Sequence, residues 1–98
     1  MLTLPIKKKW FDMIKEGIKK EEYREIGQYW ETRLSNVFNG LYGEKGYILL
    51  RNGYGNDKPT IKCYVELNRN TGKEEWGAEP NKEYYVLKIL SVEEVSNE

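Results

Sequence analysis

Histidine is missing from the chain altogether. That removes the commonest general base, the commonest zinc ligand and every Ser-His or Cys-His arrangement. Any chemistry has to run on Lys, Glu, Asp, Tyr, Thr or water. Cysteine occurs once, as Cys63, so no intramolecular disulfide can form. Net charge is zero, with 16 basic and 16 acidic residues, which argues against a strongly basic nucleic-acid binder while leaving room for a local basic patch. No apolar run approaches the length of a membrane span or of a signal-peptide core. Together these absences predict a soluble, cytoplasmic protein with no membrane attachment.

Metal and cofactor signatures are also lacking. Asp57, Glu74, Glu75 and Glu79 do not form a spaced calcium or magnesium loop, and no glycine-rich nucleotide cradle occurs. The reading is no metal and no cofactor.

What the chain does have is aromatic and charged surface. Its 98 residues are 39% hydrophobic, 33% charged and 13% aromatic, with 8 Tyr and 3 Trp. One domain, residues 1–98, is the default for this length, with one small core. Many of the aromatics must sit half-buried with a polar edge toward water.

The patterning predicts the order β-α-β-α-β-β-β. "LTLPI" alternates as an opening strand, with Pro5 suited to an edge. In "KKKWFDMIKEG", Trp10, Met13 and Ile14 form a helical stripe, and Gly17 fits the left-handed position after the helix. A Schellman ending there would fold Ile18 back onto Met13. "KKEEYREI" cannot bury a helical stripe. As a strand it sends Glu22, Arg24 and Ile26 to one face and Glu21, Tyr23 and Glu25 to the other. "GQYWETRLSNVFNG" is helical again, with Tyr29, Trp30, Leu34, Val37 and Phe38 as its stripe and Asn39-Gly40 as its end. Strands follow at Tyr47–Arg51, stopped by Asn52-Gly53, and at "TIKCYVELNRNTG", where Cys63 reads as a buried thiol. "EEWGAEPNK" reads as loop and "EYYVLKILSVEEV" as a long last strand, with the closing Ser-Asn-Glu expected to fray. Helices early and strands late point to α+β with a curled, mostly antiparallel sheet or small barrel, not a doubly wound parallel sheet.

"GIKKEEYR" reads G-x-K-x-x-E-x-R through Gly17, Lys19, Glu22 and Arg24. This resembles the signature of the ASCH domain family, within the PUA-like superfamily. The opening strand, the first helix, "RNGYG" and "EWGAEP…YYVL" extend the likeness over most of the chain, to the small stand-alone bacterial and phage type. The resemblance implies a PUA-like β-barrel of about five or six mostly antiparallel strands with two main helices packed against it. It also implies a cleft beside the motif strand for RNA or a nucleoside. In some relatives it implies an amidohydrolase acting on acetylcytidine, and in at least one the cleavage of RNA.

Beside that resemblance stands the plain reading of a charge-laced surface strand, whose ion pairs contribute only ~0–1 kcal/mol each. In the site reading, Glu22 and Arg24 share a face, and Arg24 can hold Glu22 ionised or present its fork to a phosphate or base edge. Lys19 has the wrong parity in a straight strand, so it joins them only if the chain curls after Gly17. In the acetylcytidine-cleaving relatives a threonine stands where this chain has Glu22. Glu22 is then a general base for water if burial raises its pKa, or equally an acceptor for an exocyclic amine, which is simple binding. Lys19 and Glu22 are thus the catalytic candidates if the protein is an enzyme. Those relatives use a second carboxylate from the late strands, for which Glu79 is the candidate here and Glu75 the alternate. Arg51, Asn52, Tyr54 and Trp76 complete the binding set: Tyr54 or Trp76 to stack a base, Arg51 to touch phosphate, and Asn52 with Gly53 to expose backbone amides. The bland alternatives are a hairpin turn at Asn52-Gly53, barrel-mouth packing for Trp76, core positions for Trp10 and Trp30, and a solvated helix start for Lys7–Lys9. Expected partners are RNA or a nucleoside-like molecule. The competing functions are a binding module, a hydrolase and a protein-interaction module.

Overall fold

The computed structural model describes residues 1–95, and the expected fraying of Ser-Asn-Glu lies outside them. Strand β1 (Thr3–Ile6) leads through α1 (Lys8–Lys15), β2 (Glu21–Glu25) and α2 (Gln28–Phe38) to three longer strands, β3 (Lys45–Asn52), β4 (Thr60–Thr71) and β5 (Glu83–Glu94). The segment expected to be loop between β4 and β5 contains a short 3-10 turn, Glu74–Trp76. The element order and α+β class follow the sequence patterning, and the five mixed strands curl into a half-barrel flanked by two helices.

One sheet holds all five strands in the order β1-β3-β4-β5-β2. β1 runs parallel to β3 and every other pair is antiparallel. Inward positions alternate as period-2 strands require: Leu4 and Ile6, Ile48 and Leu50, then Ile61, Cys63, Val65 and Leu67. Phe11 and Ile14 from α1, and Leu34 and Phe38 from α2, close this core. In β5, Ile89 pairs with Val65 and Ser91 with Tyr64, so Leu90 is an extra residue. A bulge of this kind bends and twists a strand, and here it helps the sheet curl.

Because the curl is incomplete, the two edge strands, β1 and β2, border a gap. Neither edge is an open template for a further strand. Pro5 has no N–H to offer, and the Tyr23 carbonyl, at a position opposite Val86 that faces away from β5, accepts a hydrogen bond from Arg24 at 2.7 Å.

The helix stripes depart from expectation in detail. In α1 the buried residues are Phe11 and Ile14, with Trp10 and Met13 half-buried. In α2, Tyr29 is exposed and Trp30 half-buried. The core needs only one narrow side of each short helix. The Schellman hydrogen bonds do form: Ile18 N–H donates to the Met13 carbonyl (2.8 Å) and Gly17 N–H to that of Ile14 (3.1 Å), with Gly17 at φ 78°. Ile18, however, is 55% exposed. No helix among the described residues is long and apolar enough to cross a membrane.

Burial pushes the Cys63 thiol up to about 12 from a usual 9.0. The unfolded chain therefore loses that proton first. The stability it contributes is complete below pH 9.0 and is lost as pH rises toward 12, at about 1.4 kcal/mol per pH unit. Cys63→Val removes this loss, so urea unfolding at about pH 8 and about pH 10 should show the variant gaining on the parent at the higher pH. Identical pH profiles would refute the assignment.

Candidate functional site

The turn after α1 sets up the site. Lys19 N–H also donates to the Met13 carbonyl (3.1 Å), and Ile89 N–H donates to the Lys20 carbonyl (2.8 Å), so the chain curls tightly before β2 begins. That curl overcomes the unfavourable parity of Lys19. Its side chain points inward and the residue is only 2% exposed, beside Glu22 at 5%.

Lys19 Nζ lies 3.0 Å from Glu22 Oε1. Arg24 donates to Glu22 Oε2 at 2.6 Å as well as to the Tyr23 carbonyl. Each carboxylate oxygen thus faces its own cation. Lys19 also donates to the Trp76 carbonyl oxygen and lies 4.6 Å from the Trp10 ring centroid and 5.0 Å from that of Tyr23. The Arg24 guanidinium lies 5.2 Å from the Trp30 centroid. Burial lowers the pKa of Lys19 from 10.5, and the Glu22 charge opposes that shift in part.

The segment carrying Trp76 is pinned by its own small cluster. Gly72 passes so close to Tyr23 that a Cβ there would stand 2.7 Å from the ring. Lys73 N–H donates to Tyr23 Oη (2.9 Å), which in turn donates to Glu21 Oε1 (2.7 Å). Glu79 N–H donates to Tyr84 Oη (3.0 Å), and Ala78 packs with Tyr23, Tyr84 and Val86. Gly77, at φ 100°, would place a Cβ 3.0 Å from the Trp10 ring, so glycine lets the two meet.

These elements enclose a pocket of about 800 Å³ at the gap between β1 and β2. Lys19, Glu22 and Arg24 form its polar floor. All three tryptophans of the chain line it: Trp10, Trp30 and Trp76. Trp10 and Trp30 were expected in the core, and they instead pack one side against it while lining the pocket. The cations beneath the rings explain why: a helix stripe does not show that a tryptophan has a charged neighbour from another element.

The remaining candidates divide. Tyr54, 83% exposed, lies at the rim with Gly53. Glu79 lines the pocket and Glu75 does not. Arg51 and Asn52 are not part of the lining either. Arg51 alternates with the core residue Leu50, so its side chain belongs to the other face of the sheet. Asn52 ends β3 with its N–H donated to the Pro59 carbonyl, and only Gly53 takes positive φ. Gly53 N–H is itself satisfied by the Ile6 and Arg51 carbonyls, so the expected free amides are already used. Among the described residues no group of three or more Cys, Asp or Glu is placed to hold a metal ion.

Comparison of the chain with protein-family models, with curated proteins and with solved structures finds no match.

Removing one partner of a buried ion pair strands the other charge and costs about 3–5 kcal/mol. Glu22 keeps Arg24 at 2.6 Å, so Lys19→Met should destabilise the protein by an amount toward the low end of that range. Lys19→Met combined with Glu22→Leu should recover part of that loss, because no buried carboxylate remains and Arg24, its side chain 13% exposed, keeps the Tyr23 carbonyl. Urea unfolding of the parent, the single and the double variant measures this. A double variant weaker than the single would show the pair to be a stabilising element of the fold.

Proposed function

We propose that the chain is an ASCH-type, PUA-like domain whose pocket binds a nucleobase, presented by RNA or by a nucleoside. The observation that supports this most is the convergence of all three tryptophans on one pocket above a Lys-Glu-Arg floor whose lysine and glutamate are buried. Apolar walls with a few convergent polar groups are the usual build of a small-molecule site. Aromatic walls suit a flat heterocycle, and the floor supplies the edge contacts that orient it. The free lone pairs of Glu22 can accept from an exocyclic amine, and Arg24 can donate to a ring nitrogen or carbonyl. A strand-adding protein partner fits less well, since Pro5 and the occupied Tyr23 carbonyl blunt both edges of the gap.

A hydrolase remains the second reading, favoured by the lowered pKa of Lys19. A more readily deprotonated lysine at a pocket floor can serve as a base toward an attacking water. Glu22, with a cation on each oxygen, is then a positioning residue that holds Lys19 and Arg24 in register.

Tryptophan fluorescence tests the reading directly, since every tryptophan reports on the pocket. Titration with cytidine, acetylcytidine or a short single-stranded RNA should change the emission. Trp30→Ala should weaken binding by about 1–3 kcal/mol, the usual value of one base–aromatic stack. Acetate released from acetylcytidine by the parent, and not by Lys19→Met, would favour the hydrolase. No change in emission or amide NMR shifts at millimolar ligand would overturn the nucleobase reading.

A further inference from the structure

The charges lining the pocket do not cancel within it. Lys19 and Arg24 share the Glu22 carboxylate. The other two lining carboxylates, Glu25 and Glu79, both pair with Lys82, at 2.8 and 3.4 Å. Lys82 is not itself part of the lining, and its hydrogen bond to Glu25 raises its pKa and keeps it protonated. Two lining cations are left over. Lys7, following β1, and Arg33, on α2, have no carboxylate within ion-pair distance among the described residues. Arg33 is nonetheless held in place. Its guanidinium carbon lies 3.4 Å from the Tyr29 ring centroid, and one N–H donates to the Tyr29 carbonyl at 3.1 Å. A guanidinium fixed by stacking, with most of its five donors unspent, is preorganised for an oxyanion.

Size points the same way. At about 800 Å³ the pocket lies in the upper part of the range for small-molecule sites. That leaves room beyond a base and its sugar.

We propose that Lys7 and Arg33 form a phosphate-holding rim, so that the ligand is a phosphorylated nucleotide, free or within a strand, and not a bare nucleoside. This rests on the nucleobase reading of the same pocket. The base lies over the Lys19–Glu22–Arg24 floor, and the phosphate neutralises the positive charge the protein leaves unpaired.

The test compares cytidine, cytidine 5′-monophosphate, cytidine 3′-monophosphate and a short cytidine-rich RNA, followed by tryptophan fluorescence at low and raised salt. At least one phosphorylated probe should bind about ten-fold or more tightly than cytidine at low salt, as a charge-assisted hydrogen bond implies. Salt should erode that gain and leave cytidine affinity alone. In Lys7→Met/Arg33→Gln the gain should vanish while cytidine affinity holds. Both side chains are at least partly exposed, so the variant should fold, as its melting curve can verify. A gain with a monophosphate that the RNA does not exceed identifies a free nucleotide, and a gain larger with the RNA or confined to it identifies a strand. If cytidine binds and no phosphorylated probe binds better, the rim falls and the nucleobase reading stands. If the double variant loses cytidine as well, Lys7 and Arg33 are not a phosphate rim. If no probe binds, both inferences fall together.

Discussion

The buried ammonium of Lys19 is the constraint around which the rest of the site is arranged. A charge removed from water costs several kcal/mol unless it is paired and hydrogen-bonded. Here it is met by a carboxylate oxygen, a backbone carbonyl and two aromatic rings. These partners come from three different parts of the chain. Glu22 and Tyr23 belong to β2, Trp10 to α1, and the Trp76 carbonyl to the 3-10 turn 57 residues away. One side chain therefore ties a helix, an edge strand and a loop to a single point. Arg24 extends the arrangement, holding the second oxygen of Glu22 and reaching toward Trp30 on α2.

Such a cluster is a poor way to stabilise a small domain. A buried ion pair is often no better than well-packed apolar residues of the same volume. The apolar core has no need of it, being complete in Leu4, Phe11, Leu34, Ile48, Val65 and their neighbours. The cluster instead occupies the opening between β1 and β2, where the sheet fails to close. A polar, preorganised floor in a gap between two strand edges suits the ligand pocket proposed above. The surrounding design agrees. Both edges are blunted against another strand, and the loop over the floor is secured by tyrosine hydroxyls and by the close approach of Gly72.

Local chemistry made much of this visible in the residues. The strands were legible because apolar and polar residues alternate, and the end of α1 because Gly17 can adopt the left-handed turn. The pairing of Glu22 with Arg24 followed from strand parity, and the need for a curl at Lys19 from its violation. Long-range placement was less legible. Trp10 and Trp30 lie on helix stripes and so resembled core residues, since nothing local shows that Lys19 and Arg24 come beneath their rings. Arg51 and Asn52 sat beside a turn and looked available, but the register of β3 turns Arg51 away and uses the Asn52 amide. Arg33 carried no signal of its own as one charge on an exposed helix. Its place in the pocket depends on how α2 packs against the sheet.

Lys19 is a buried, partnered ammonium facing the pocket between β1 and β2. The most direct measurement is a pH titration of the lysine side-chain resonances in isotopically labelled protein, with and without cytidine 5′-monophosphate. Lys19, assigned through Lys19→Met, should show one lysine signal titrating below the usual 10.5, and that signal should move when the nucleotide is added. A Lys19 that titrates with the surface lysines and ignores the nucleotide would contradict both its burial and its role in the site.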